Sequence, residues 1–96
     1  VALHDTDARK QALAEAAGAR FLADAAAIPA DHELVIHASG HPDGLVTALS
    51  ACEFEGRVLE ASWFGTRPVS LPLGEAFHAR RLTIQATQVG SLAPSM

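Results

Sequence analysis

A single cysteine, Cys52, is all the chain offers to disulfide chemistry, so no internal bridge is expected and a reducing, cytoplasmic setting fits best. The sequence opens without a charged-then-apolar leader. Long hydrophobic runs are missing too, and nothing approaches the roughly 18 consecutive apolar residues of a membrane span. Positive charge is scarce: the formal net charge is -4, and the few arginines lie apart except for the pair Arg80-Arg81. Without a basic field to hold phosphates, neither nucleic acid nor an anionic membrane is an expected partner. Internal repeats and low-complexity linkers are also absent. Finally, no G-x-G-x-x-G occurs anywhere, and that absence bears directly on function.

What is present is a globular composition. Hydrophobic residues make up 49% of the 96 residues against 19% charged, which excludes a disordered chain and suffices for one small domain with one core. The first residue is Val1, not methionine. A processed or truncated start is the expectation.

The pattern alternates short apolar runs with helical periodicity. Val1 to Leu3 is a strand stub ending at His4 and Asp5. Thr6 as N-cap and Asp7 at the positive end of the dipole predict a helix over about 7–17, with an apolar stripe of Ala12, Leu13, Ala16 and Ala17 against a sheet and Gly18 as its stop. Residues 19–22 form a second strand candidate, and Asp24, the alanine triplet and Pro29 a loop or a frayed turn. The run from Glu33 to Ala38 predicts a strand covered on both faces, as parallel sheets require. His41-Pro42 opens a second helix over about 42–53, whose apolar face is Leu45, Ala48, Leu49 and Cys52. After the break at Gly56, residues 57–62 read as a strand, 73–79 as one or two helical turns, and 81–86 as a last strand before Gly90. Strands alternating with helices argue for right-handed crossovers and a parallel α/β sheet.

In such sheets the ligand lies across the carboxyl ends of the strands. The residues expected there are Asp5, then Ser39-Gly40, then Ser62-Trp63, then Thr87 to Gly90. Their order, together with the stretches ValAlaLeuHisAspThrAsp, LeuValIleHisAlaSerGly, GlyArgValLeuGluAlaSerTrpPheGly and LeuProLeuGlyGluAlaPheHisAlaArgArgLeuThrIle, resembles the medium-chain dehydrogenase/reductase family, the zinc-type alcohol dehydrogenase group. The likeness covers nearly the whole chain and begins at the second strand of that family's coenzyme domain.

The resemblance implies an oxidoreductase that moves a hydride between nicotinamide and an alcohol or carbonyl substrate. It places Asp5 on the ribose hydroxyls of an adenosine, where a carboxylate would repel a 2'-phosphate and so favours NAD. The plain alternative is that Asp5 caps the following helix. Lys10 falls near that ribose, or is simply a solvated helix lysine. If Arg9 and Lys10 both faced the ribose, NADP would be admitted as well. Ser39 and Gly40 would bring backbone close to the adenosine side, with Gly40 allowing an approach that a side chain would block. The plain alternative for Ser39 is an ordinary turn residue. Ser62 and Trp63 map to the nicotinamide ribose and carboxamide, and Thr87 to Val89 to backbone that completes the carboxamide site. The family usually has glycine where Ser62 stands, and a lone tryptophan such as Trp63 is more often a packing residue.

The five histidines and Cys52 do not form a metal motif: His37 and His41 are four apart but span a strand end and a turn. In the family the zinc belongs to a catalytic domain not contained in these residues. No Ser/His/acid set is expected from the sequence, Cys52 reads as a small core residue of the second helix, and Arg80-Arg81 as a solvated strand entrance.

The expected fold is therefore α/β, a Rossmann-like parallel sheet with strands 2 to 6, lacking strand 1 and its Gly-rich loop. Strand 1 is central in the order 3-2-1-4-5-6, so strands 2 and 3 should be cut off from strands 4 to 6. A missing neighbour leaves about twice the usual ~4.8 Å spacing, with unpaired backbone on both sides. Direct pairing of strands 2 and 4, or a strand donated by another chain, would be the two escapes. The isolated chain is expected to be inactive. The competing reading is a stand-alone half-Rossmann binding or interaction module, a homodimer through its open strand edges.

Overall fold

The computed structural model describes residues 2–87. Five strands alternate with helical segments: β1 (Ala2–His4), a 3-10 turn (Ala8–Lys10) running into α1 (Gln11–Ala16), β2 (Arg20–Leu22), a second 3-10 turn (Ala25–Ala27), β3 (His32–His37), α2 (Pro42–Ser50), β4 (Cys52–Glu60), an irregular helical stretch (Leu73–Phe77) and β5 (Thr83–Ala86). All pairings are parallel. They form two sheets, β1-β2 and β3-β4-β5, and among the described residues no ladder joins β1 to β3. This is an α/β, Rossmann-like arrangement split where a central strand would lie. Of the two escapes, direct pairing of the second family strand with the fourth does not occur.

The core belongs to the larger sheet. Val35, Val58 and Ile84 stand in register across β3, β4 and β5, and their common face receives Leu45, Ala48 and Leu49 from α2. Cys52 and Leu82 complete the buried cluster, and Leu71, Ala76 and Phe77 pack against its margin. α2 forms here because Pro42 suits the first helical turn and because Leu45, Ala48 and Leu49 recur on one face. The opposite face of β3 is open: Leu34 is exposed, and Ile36 is 65% exposed. The strand predicted to be covered on both faces is thus covered on one.

Several boundaries differ from the sequence expectation for identifiable reasons. Asp7, not Thr6, caps the first helical segment, its carboxylate accepting the Arg9 amide at 3.0 Å. The predicted stripe of α1 is not buried. Ala14 alone is, while Leu13 remains 67% exposed, because two strands of three residues each offer too little sheet to cover it. Helix α2 ends at Ser50, and Cys52 opens β4 instead of extending the helix. The break expected at Gly56 is an irregularity within β4. Glu55 adopts a left-handed φ of 62°, and the register against β3 shifts between His32 and Leu34.

The helical turns predicted over 73–79 are interrupted at Glu75, whose φ/ψ is non-helical. Arg80 is more than a solvated strand entrance: its guanidinium donates to the carbonyls of Ser50 and Cys52 at 3.0 and 3.1 Å, tying the approach to β5 to the α2–β4 turn. Arg81 fits that expectation better, exposed and 3.8 Å from Glu55. No helix among the described residues is long and apolar enough to cross a membrane.

Candidate functional site

Parallel pairing puts the carboxyl ends of β3, β4 and β5 at one edge, and the predicted strand-end residues gather there. His37 and Glu60 face each other in register at the last step of the β3–β4 ladder. Beyond them, the Ser62 hydroxyl accepts the Gly40 amide at 2.9 Å, so the two strand-end loops are joined directly. Gly40 has a φ of 74°, a left-handed conformation that glycine adopts at no steric cost. Thr87 closes the third strand end, its amide and hydroxyl both donating to the Glu60 carbonyl at 3.2 Å. Ser39, Gly40, Ser62 and Thr87 therefore belong to one rim. Val89 lies outside the described residues.

Trp63 is on the same rim but is 88% exposed, so it is not the packing residue that a lone tryptophan usually is. Its neighbour Phe64 takes the inward role, its ring stacked 6.3 Å from that of His37.

Asp5 and Lys10 sit on the smaller sheet. They line an open depression of about 280 Å³ together with Leu3, Leu13, Ala14, Ala17 and Ala19. Asp5 does not cap the helix, since Asp7 has that place. One Asp5 oxygen accepts the Asp7 amide at 2.8 Å, which fixes the carboxylate at the tip of β1. Arg9 is turned to Asp7 instead, in an exposed ion pair at 2.9 Å that lowers the Asp7 pKa and raises that of Arg9. Of the two basic residues weighed for a ribose, only Lys10 shares the depression with Asp5.

The rim also holds a set that the sequence did not reveal. Ser39 Oγ lies 2.6 Å from His37 Nε2, and His37 Nδ1 lies 2.6 Å from Glu60 Oε2. The other Glu60 oxygen accepts the Ser62 amide at 2.8 Å. His37 is buried, only 5% exposed, and stands where no Ser/His/acid set was expected. A signal did exist. His37 and Ser39, and likewise Glu60 and Ser62, are two residues apart at the ends of strands, the spacing that keeps side chains on one side. Reading it required knowing that His37 and Glu60 are opposite each other.

The chemistry of the donors bears on what groups could sit here. A carboxylate, an ammonium and an apolar floor at the Asp5 depression fit a sugar and base, and the Gly40 loop offers backbone without a side chain. No G-x-G-x-x-G turn at a helix start accompanies them among the described residues, so the diphosphate of a dinucleotide lacks that cradle. Three or more His, Cys, Asp or Glu side chains do not converge in a metal-holding group among those residues.

No family model matches the chain, and no curated protein matches it. Among solved structures, L-idonate 5-dehydrogenase from Escherichia coli str. K-12 substr. MG1655 superposes with a TM-score of 0.69 at 16% sequence identity, over 88% of this chain and 26% of that one. The chain thus spans about a quarter of the length of that dehydrogenase, and the likeness is one of fold: an α/β, Rossmann-like unit of parallel strands.

Proposed function

We propose that the chain is the C-terminal part of an NAD-binding Rossmann domain from a zinc-type, medium-chain alcohol dehydrogenase-like oxidoreductase. The observation that carries this reading is the split of the parallel strands into β1-β2 and β3-β4-β5, with polar and glycine residues at the carboxyl ends on both sides of the split. The fold likeness to a dehydrogenase supports it. A strand between β1 and β3, followed by a Gly-rich turn, would make one continuous sheet and supply the missing phosphate cradle.

In that complete domain Asp5 would accept the adenosine ribose hydroxyls, with Lys10 beside it. Ser39 and Gly40 would lie along the dinucleotide, and Ser62, Trp63, Thr87 and Val89 would border the nicotinamide. NAD, when bound, supplies hydride transfer with an alcohol or carbonyl compound; the chain's own part is to hold and orient it. Zinc finds no fitting donor set among the described residues.

The test is cofactor preference in the full-length parent. Asp5→Asn removes the charge that would repel a 2'-phosphate, so the ratio of NAD to NADP kcat/KM should fall by about tenfold or more, equivalent to ~1.4 kcal/mol. An unchanged ratio would remove Asp5 from the cofactor site.

A further inference from the structure

We propose that Ser39 is a nucleophilic hydroxyl activated by His37 and Glu60, and that this chain cleaves small activated carboxylic esters through an acyl-Ser39 intermediate. The proposal needs no bound dinucleotide and uses groups the chain itself contains, Ser39 being shared with the proposed dinucleotide rim.

The hydrogen bonds set the polarity of the relay. Glu60 is held between two donors: Oε1 takes the Ser62 amide at 2.8 Å, and Oε2 faces His37 Nδ1 at 2.6 Å. An ionised carboxylate only accepts, so Nδ1 carries the proton and Nε2 of the neutral ring is left as the acceptor. At 2.6 Å from Nε2 stands Ser39 Oγ. The His41 amide donates to the same oxygen at 3.1 Å, occupying one lone pair, while the His41 carbonyl is farther off at 3.5 Å. The Ser39 proton therefore points at His37. This is the arrangement of nucleophile, base and orienting acid that activates a serine, with the base within hydrogen-bond reach and its tautomer fixed by the third group.

Three further features suit the chemistry. The base is buried, and Phe64 covers its ring, while Ser39 itself is exposed to an incoming substrate. Gly44, in the first turn of α2, comes so close that a Cβ there would stand 2.4 Å from Ser39 Oγ and 2.6 Å from His37 Nε2. A side chain there would push the hydroxyl and the ring apart, so glycine keeps the Ser39–His37 contact in place.

In the step itself, Ser39 Oγ forms a bond to the carbonyl carbon as its proton passes to His37 Nε2. The ester C–O bond then breaks, and His37 returns the proton to the departing oxygen, releasing the alcohol. Water repeats the sequence on the acyl-serine, releasing the carboxylic acid and restoring Ser39. Glu60 keeps its contacts to His37 and the Ser62 amide throughout.

The experiment is labelling of the 96-residue chain with an alkyl fluorophosphonate, read by intact mass and peptide mapping, with circular dichroism on every sample. The expected result is one phosphonyl adduct on Ser39 of the folded chain and none on the urea-unfolded chain. Ser39→Ala should abolish it, and His37→Gln should slow it by about a hundredfold or more. Should His37→Gln fail to fold, Glu60→Gln and Gly44→Ala take its place, each expected to slow labelling by at least about tenfold. A folded chain that stays unlabelled, an adduct only elsewhere, or variants that fold and label at the wild-type rate would overturn the proposal. Turnover of p-nitrophenyl acetate should follow the same order among the variants.

Discussion

Glu60 holds His37 Nδ1 at 2.6 Å with one carboxylate oxygen while the other accepts the Ser62 amide at 2.8 Å. This pair joins the ends of β3 and β4 and, through Ser39 and Ser62, shapes the loops beyond them. Glutamine at position 60 would have one oxygen for two donors, setting its own NH2 against either the ring N–H or the Ser62 amide. Glu60→Gln should lower stability by about 1–3 kcal/mol, the cost of a buried donor left unsatisfied. Urea unfolding at neutral pH checks this, and an unchanged midpoint would show that the loops do not depend on the pair.

The uneven distribution of the core predicts a sharp contrast between two leucines. Leu49 is buried between α2 and the larger sheet, so Leu49→Ala should cost about 2–5 kcal/mol. Leu13 is largely exposed on α1, and Leu13→Gln in the isolated chain should stay within about 0.5 kcal/mol. Comparable losses at the two sites in urea titrations would mean that α1 is packed far better than its exposure indicates.

Cys52 should behave as a protected thiol. Burial raises its pKa above the ordinary value of 9.0, only partly offset by the nearby Arg80. A raised folded pKa means the neutral thiol is favoured in the native state. Its contribution to stability is complete below pH 9.0 and is lost as pH rises through the higher folded value. Iodoacetamide should label Cys52 slowly in the native chain and fast in urea, and Cys52→Ala should flatten the alkaline part of the stability profile. Rapid native labelling at neutral pH would contradict the burial.

Trp63 is the sole tryptophan and stands at the rim of the proposed nicotinamide site. Because it is mostly exposed, Trp63→Phe should change stability by less than about 0.5 kcal/mol. In the complete parent domain its fluorescence should respond to NAD, and the substitution should raise KM for NAD. A large loss of stability with an unaltered KM would assign Trp63 to packing after all.

Much of the architecture was legible in the sequence because parallel α/β units carry strong local signals. Pro42 at a helix start, the Leu45-Ala48-Leu49 face and the apolar run from Glu33 to Ala38 placed α2 and β3 within a few residues. The lack of G-x-G-x-x-G, joined to a family resemblance that begins at a second strand, led to the expected separation of β1-β2 from β3-β4-β5. Exposure was not legible: Leu13, Leu34 and Ile36 have the side chains of buried positions, and only the extent of the sheets decides whether anything covers them. The Ser39–His37–Glu60 chain escaped for a different reason. It rests on a cross-strand register, and sequence spacing within each strand says nothing about which residue stands opposite.

The proposed dinucleotide site is complete only when a strand fills the space between β1 and β3. The most direct test is calorimetric titration of NAD into two proteins, the chain alone and the chain preceded by a strand–G-x-G-x-x-G–helix segment. Micromolar binding by the completed protein and no measurable binding by the chain alone are expected. Micromolar binding by the chain alone, or none by a completed and folded protein, would contradict this.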